Sequence, residues 1–454
     1  MLIRDARLAD GRRRDVRVDG ERIAAVAAAE SLHADADTDA DTDTDADTDT
    51  DTDTDEPVVD ADGRLLLPGA IDVHVHFRQP GDPHKETWVT GSKSAAAGGV
   101  TTAVDQPNTN PPTTTGEAFE EKAALACDSL VDYGINGGVT EEWDPDSLFA
   151  CPLFALGEVF LADSTGDMGI DAGLFADAVG RAAAADVPVT VHAEDATLFD
   201  ESARQGNAGG TGRDADADRW SAFRTADAEA AAVERAVEVA ADSRAQVHIA
   251  HTSTPEGIDA AAAAGATCEV SPHHLLLSRD DLDELGTYGR MNPPLRSEER
   301  RRAVFERVVD GTVDMVATDH APHTVAEKEQ GLWDAPSGVP GVETMLPLLL
   351  EAARRGELSY ERVRDLTATT PAEVFDLPRK GRVEAGADAD LVLVDPDRPR
   401  EIRGDDLHSK CGWTPFEGWQ GVFPDLTLVR GHVVYEREDG ADRFGAAVGE
   451  NVRR

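Results

Sequence analysis

Lysine is scarce in this chain: six lysines stand beside 37 arginines in 454 residues. Aromatic residues make up only 5%, so a core has to rely on alanine, valine and leucine. Cysteine is sparse too. Cys127, Cys151, Cys268 and Cys411 are scattered and form no CxxC pair, which excludes a disulfide framework and a zinc ribbon. Long apolar runs are missing, as is the apolar core of a signal peptide, so a cytoplasmic protein without a membrane partner is expected. Positive charge is the largest deficit. With 43 basic against 89 acidic residues the formal net charge is −46, which excludes nucleic acid as a partner, since phosphate binding needs a basic face. The Asp/Thr tract at 34–56 holds only 12 of these acids, so the excess is spread over the whole chain. Such a balance fits a salt-adapted cytoplasmic protein, kept soluble by its charge while salt screens the self-repulsion.

What is present divides the chain into three parts. Short strands are expected at Leu2–Arg4, Asp15–Val18 and Arg22–Val26, with Asp19-Gly20 as a hairpin turn. The tract at 34–56 alternates like charges, buries nothing and is expected to be a disordered insertion. From Leu65 to about Leu377 strands alternate with Ala-rich helices. The strands are read at Leu65–Val75, Val100–Asp105, Tyr133–Val139, Leu153–Phe160, Pro188–Ala193, Ala245–Thr252, Ala266–Ser271 and Thr312–Thr318. Helical patterns are read at Gly91–Ala97, Phe119–Asp128, Phe175–Ala185, Ala226–Ala241 and Glu298–Val309. Eight strand–helix repeats predict an α/β fold, a (β/α)8 TIM-type barrel over 68–382. Short strands return at Leu391–Val394, Leu426–Val429 and His432–Tyr435. The two terminal segments, 1–67 and 383–454, are too small alone and are expected to form one composite β-sandwich.

The chemistry begins at Ile71-Asp72-Val73-His74-Val75-His76-Phe77-Arg78. Residues two apart on a strand share a face, so His74 and His76 can bind one metal, with Arg78 beyond them as an anion reader. Barrel active sites form at the C-terminal strand ends. There the sequence places Glu158 near the end of strand four, His192 at the end of strand five, His251 at the end of strand six and Asp319 at the end of strand eight. Four imidazoles and two carboxylates exceed the three or four ligands of a single zinc and suit two metals sharing a carboxylate.

These motifs resemble the amidohydrolase superfamily and, among its cyclic-amide hydrolases, most closely the dihydroorotase family. The similarity spans roughly 60–440 and rests on His74–Gly81, Gln106-Pro107-Asn108-Thr109, Asn292-Pro293-Pro294-Leu295-Arg296, Asp319-His320-Ala321-Pro322-His323 and Gly338–Thr344. The resemblance implies reversible cyclisation of N-carbamoyl-L-aspartate to L-dihydroorotate in pyrimidine synthesis. It implies two Zn2+ ions held by His74, His76, Glu158, His192, His251 and Asp319, with Asp319 as catalytic general base and acid. Arg78, Asn108, Asn292, His323 and backbone near Gly341 are implied to bind substrate. One departure stands out: many relatives carry a carboxylated lysine where this chain has Glu158. Asp163 is the competing bridge, and a single-metal site is the third reading. Allantoinases and hydantoinases are the nearest rival activities and lack an arginine at the position of Arg78. An inactive scaffold subunit is the non-enzymatic rival; the resemblance also leaves room for a homodimer and for association with aspartate carbamoyltransferase. Among the other histidines, His273 and His274 read as packing residues and His320 as support behind Asp319. His248 is read on the face opposite His251, and His33, His84, His408 and His432 carry no motif. Ser164-Thr165-Gly166 and Gly206–Arg219 are read as loops that close over the site.

Overall fold

The computed structural model describes residues 1–32, 56–163, 168–206 and 208–453. The acidic tract up to residue 55 and the Ser164-Thr165-Gly166 loop therefore lie outside the described residues.

Strands β1 (Leu2–Arg7), β2 (Arg13–Asp19), β3 (Arg22–Ala28), β4 (Val58–Asp60) and β5 (Leu65–Pro68) form the N-terminal part of one sheet. Eight parallel strands follow: β6 (Ala70–Val75), β7 (Val100–Asp105), β8 (Asp132–Ile135), β9 (Leu156–Phe160), β10 (Val189–His192), β11 (Val247–Ile249), β12 (Thr267–Val270) and β13 (Met315–Val316). Bridges between Gly137 and Leu156 and between Val75 and His320 close them into a barrel. The chain then returns to β-structure with β14 (Leu391–Val394), β15 (Arg400–Glu401), β16 (Gln420–Gly421), β17 (Pro424–Val429), β18 (His432–Glu438) and β19 (Ala441–Phe444). The fold is a (β/α)8 barrel beside a β-sandwich to which both ends of the chain contribute: β5 pairs antiparallel with β14 in one nine-stranded sheet. Ile3, Val16, Ile23, Leu66, Leu391 and Leu428 form the core there. Val429 and His432 flank Arg430-Gly431, both at positive φ (44° and 77°), the geometry of a two-residue hairpin loop. The first hairpin differs from expectation by one position: Asp19 pairs with Arg22, so Gly20-Glu21 is its loop.

The expected strand Leu65–Val75 is two strands serving different sheets. They part at Gly69, whose N–H donates to the Asp390 carbonyl at 2.9 Å. A Cβ on Gly69 would stand 2.1 Å from Thr101 Oγ1, so only glycine fits this crossing. An unbroken apolar run hides the break because both halves are buried. Helices start earlier than their apolar pattern suggests, at Trp88 and Gly116 rather than Gly91 and Phe119. Thr87 and Thr115 cap them by accepting the backbone N–H three residues on, a signal independent of hydrophobic period. Val100–Asp105 and Leu391–Val394 match their predicted bounds, whereas the other barrel strands are shorter than read. Among the described residues no helix is long and apolar enough to cross a membrane.

Barrel and sheet are joined by a buried ionic cluster. Lys380 Nζ lies 2.7 Å from Asp132 Oδ2 on β8 and 2.5 Å from Asp390 Oδ2 beside β14, and Arg430 also pairs with Asp132. Removing one partner of such a cluster leaves an uncompensated buried charge. Lys380→Met is expected to cost about 3–5 kcal/mol, measured as an earlier midpoint of denaturant unfolding; an unshifted midpoint would show that Arg430 alone neutralises both carboxylates.

Candidate active site

The predicted ligands meet at the C-terminal mouth of the barrel. His76 N–H donates to His320 O at 2.8 Å, which keeps the chain extended past β6 with His74 and His76 on the inner face. His76 Nε2 lies 2.9 Å from Asp319 Oδ1. His74 Nε2 stands 3.3 Å from Glu158 Oε2 and 3.7 Å from Asp319 Oδ1, and it has no hydrogen-bond partner although fully buried. Glu158 Oε1 meets His192 Nδ1 at 2.8 Å and His251 Nε2 at 2.6 Å. Two ligand groups result, His74–His76–Asp319 and His74–Glu158–His251, each with its donor atoms within 4.8 Å of one another. His192 Nδ1 joins the second group through His251 Nε2, 3.1 Å away. Arg78, His251 and Asp319 hold positive φ of 62°, 33° and 45°, a strained backbone for non-glycine residues that recurs at functional sites.

The electrostatics favour a cation. Burial alone would raise the Glu158 carboxyl, but His74, His251 and His192 beside it hold it well below the usual range. Asp319 is likewise lowered, against burial, by its bond to His76 and by His74. Against burial, Glu158 and Glu194 push His192 up to about 9, whereas at His76 burial outweighs Asp319 and lowers it. Buried carboxylates need positive charge beside them, which protonated imidazoles can supply. A divalent ion among the same oxygens and imidazole nitrogens would supply it equally well, and the unpartnered His74 Nε2 is a ready ligand atom.

Behind the ligands lies a layer that the sequence reading missed. Glu269 Oε1 accepts from His74 Nδ1 at 2.7 Å and from the His251 backbone N–H at 3.2 Å. Its other oxygen lies 3.1 Å from His248 Nε2, whose Nδ1 reaches Thr267 Oγ1 at 2.9 Å. Glu194 Oε2 meets His192 Nε2 at 2.9 Å and pairs with Arg224. An acceptor on one ring nitrogen fixes the tautomer and leaves the other nitrogen free for a metal. His248 was expected opposite His251. The period-two count fails because β11 ends at Ile249 and His251 has turned to φ 33°, so both residues reach Glu269.

Other predicted residues fall in two places. Arg78, Asn108 and Asn292 line the cavity with the ligand residues, together with Phe160, Ala321, Ser337 and Gly338. Asn108 Oδ1 is already engaged by His76 Nδ1 at 2.7 Å, and Asn292 Oδ1 accepts from Trp220 Nε1 at 3.1 Å. His323 stands behind the lining: its Nε2 lies 2.9 Å from Ser337 O and 3.2 Å from Arg78 Nη2. Gly341 is also set back, its N–H donating to His320 Nδ1 at 3.1 Å. His273 and His274 are buried, and His274 Nε2 donates to Pro293 O. Asp163 is exposed and accepts from the Gly169 N–H, away from the imidazoles. Within Gly206–Arg219, Arg219 Nε donates to Ala203 O at 3.0 Å.

Because Glu269 holds two ligand residues at once, Glu269→Leu is expected to weaken metal binding about 10–100-fold in a chelator competition. Glu269→Gln, which still accepts from His74, should lose less. Equal affinities in both variants and the parent would remove Glu269 from this role.

Comparison with known proteins agrees with this geometry. The model of the amidohydrolase family matches residues 65–434. A dihydroorotase of Halobacterium salinarum is 65% identical over the full length of both chains. One from Methanosarcina acetivorans is 44% identical over 83% of each. Among solved structures, the L-hydantoinase (dihydropyrimidinase) of Arthrobacter aurescens superposes with a TM-score of 0.88 at 28% identity, covering 100% of this chain and 99% of its own. The dihydropyrimidinase of Brevibacillus agri follows at 0.85 and 26%, covering 100% and 98%. With one family spanning most of its length and a relative matched end to end, the chain belongs to the amidohydrolase family, in its dihydroorotase branch.

Proposed function

We propose that this protein interconverts N-carbamoyl-L-aspartate and L-dihydroorotate, the ring closure of pyrimidine synthesis, as its dihydroorotase-named relatives suggest. The observation that carries the reading beyond the family is Arg78: a buried guanidinium lining the same cavity as the histidine–carboxylate cluster. A neutral hydantoin or dihydropyrimidine ring has no group to pair with it, whereas dihydroorotate carries a carboxylate that a guanidinium can take through two parallel hydrogen bonds.

His74, His76, Glu158, His192, His251 and Asp319 would hold two zinc ions; the fit is supported by the two donor groups His74–His76–Asp319 and His74–Glu158–His251. When bound, such ions polarise a carbonyl and lower the pKa of water. The chain's own residues do the rest. Asp319, kept ionised by its imidazole neighbours, takes a proton from the attacking water. It delivers that proton to the ring nitrogen as the amide C–N bond breaks, leaving a carboxylate and an N-carbamoyl group. Closure runs the same path backwards. Asn108 orients His76 through Oδ1 and keeps its Nδ2 for the substrate, while His323 braces Arg78. Gly341 supports His320, and Ser337-Gly338 of the same segment form the wall beside the ring.

Side-by-side assays with L-dihydroorotate, allantoin and dihydrouracil test the reading; turnover of either neutral ring without turnover of dihydroorotate would sink it. Arg78→Met should lower kcat/KM for dihydroorotate about 10–100-fold, the loss of a charge-assisted contact of roughly 1.5–3 kcal/mol. Metal analysis of the parent should give two ions per chain, and Glu158→Ala should give fewer; an unchanged count would leave Glu158 outside the ligand set.

A further inference from the structure

Seven cationic side chains are buried among the described residues: Arg78, Lys122, Arg224, Arg296, Lys328, Lys380 and Arg430. Five sit in ion pairs: Lys122 with Asp105, Arg224 with Glu194, Arg296 with Glu229, and Lys380 and Arg430 with Asp132. Arg78 and Lys328 form none, in a chain with 89 acidic residues to draw on. A third cation, the half-buried Arg290, shares that condition and that place.

All three converge on one strip of the cavity wall, Pro336-Ser337-Gly338. Lys328 Nζ donates to Pro336 O at 2.9 Å, Gly338 O at 3.1 Å and Arg290 O at 3.1 Å. Arg290 Nε donates to Ser337 Oγ at 3.2 Å and Nη1 to Leu332 O at 2.5 Å, while its guanidinium lies 3.8 Å above the Trp220 ring. Arg78 Nε donates to Pro322 O at 3.3 Å, and its Nη2 lies 3.2 Å from His323 Nε2, a nitrogen that also lies 2.9 Å from Ser337 O and can bond only one of the two at a time. Neutral carbonyls, a hydroxyl, an imidazole and an aromatic face thus satisfy the donors without cancelling the charge. Burial and the neighbouring Arg290 and Arg78 push the Lys328 pKa well below its ordinary value. Three carbonyl oxygens nevertheless use all three ammonium protons, and a neutral amine would turn its lone pair against one of them. Elsewhere this chain pairs a buried cation directly with a carboxylate; here Asp319 acts on Arg78 only from across the cavity, and direct pairing is left to whatever enters it.

We propose that Lys328 and Arg290 are specificity-determining residues that, with Arg78, keep the Ser337-Gly338 wall positive so that the cavity selects a carboxylate-bearing cyclic amide over its uncharged counterpart. The inference rests on the reading of Arg78 as the substrate's carboxylate partner and extends it to two residues that do not line the cavity. Lys328 and Arg290 act at a distance, through field and wall position, so they are not catalytic residues.

The test compares L-dihydroorotate with its carboxamide, which keeps the ring and loses the charge. In Lys328→Met and, separately, Arg290→Met, KM for dihydroorotate should rise about tenfold, as expected for a unit charge lost near a poorly solvated anion, with kcat little changed. The inhibition constant of the carboxamide should stay within about twofold of the parent's, since no net charge is involved. Equal weakening of acid and amide would reduce both residues to props of the wall, and an unchanged KM in both variants would overturn the proposal outright. Arg290, itself only half-buried, keeps the test alive if Lys328→Met fails to fold. A parent enzyme that does not turn over dihydroorotate would refute the proposed function instead; the acid–amide preference in inhibition of the ring it does open would then decide charge selection.

Discussion

One buried carboxylate organises the barrel mouth. Glu158 lies among His74, His192 and His251, so a single side chain on β9 draws together residues from β6, β10 and the end of β11. Burying that charge is costly unless it is paired and fully hydrogen-bonded. The cost explains why the barrel interior here is polar in depth: Glu194 and Glu269 stand behind the imidazoles, and His248 and Arg224 stand behind them in turn. Stability is supplied elsewhere, by the Ala- and Val-rich packing of helices on the outer barrel face and by the leucine-rich sheet core. The mouth is thereby free to concentrate groups that no apolar core would tolerate.

Much of this was legible in the sequence, for identifiable reasons. The spacing of His74 and His76 obeys the period of a strand, which the His76–His320 backbone bond carries just past β6, whereas Arg78, at φ 62°, has already left it and reaches the cavity from a turned backbone. His192, His251 and Asp319 stand at or just beyond strand ends, where barrels place chemistry, and Glu158 lies within β9. The inner layer was not legible. Glu269 sits inside β12, where a buried carboxylate has no signature in one sequence apart from its oddity. His248 was misplaced because a two-residue period holds only while the strand lasts, and β11 is three residues long. The break at Gly69 was hidden by apolar residues on both sides, although Pro68-Gly69 is itself a punctuating pair.

The net charge of −46 acquires a sharper meaning beside the interior. Surface acids are screened by salt over about a Debye length, ~8–10 Å at moderate ionic strength, and oppose an anionic substrate only weakly at high salt. Arg78 and Lys328 are buried, screened far less, and stand without a directly paired carboxylate. Outer repulsion and inner attraction therefore respond differently to ionic strength, so a strongly acidic surface and an anion-seeking cavity can coexist in one molecule.

The rarity of lysine bears on the same point. Of six lysines, Lys122, Lys328 and Lys380 are buried, each with its ammonium fixed by at least two acceptors. An ammonium is a compact charge whose three protons can follow acceptors in any direction, whereas a guanidinium is a planar fork suited to a carboxylate lying in its own plane. The three oxygens around Lys328 belong to carbonyls at 290, 336 and 338 and enclose a single point, which a planar fork cannot satisfy. Arg78, by contrast, faces the cavity, where a fork is the shape required. A composition that discards lysine from the surface has kept it where its geometry is irreplaceable, and the cavity wall is one of those places.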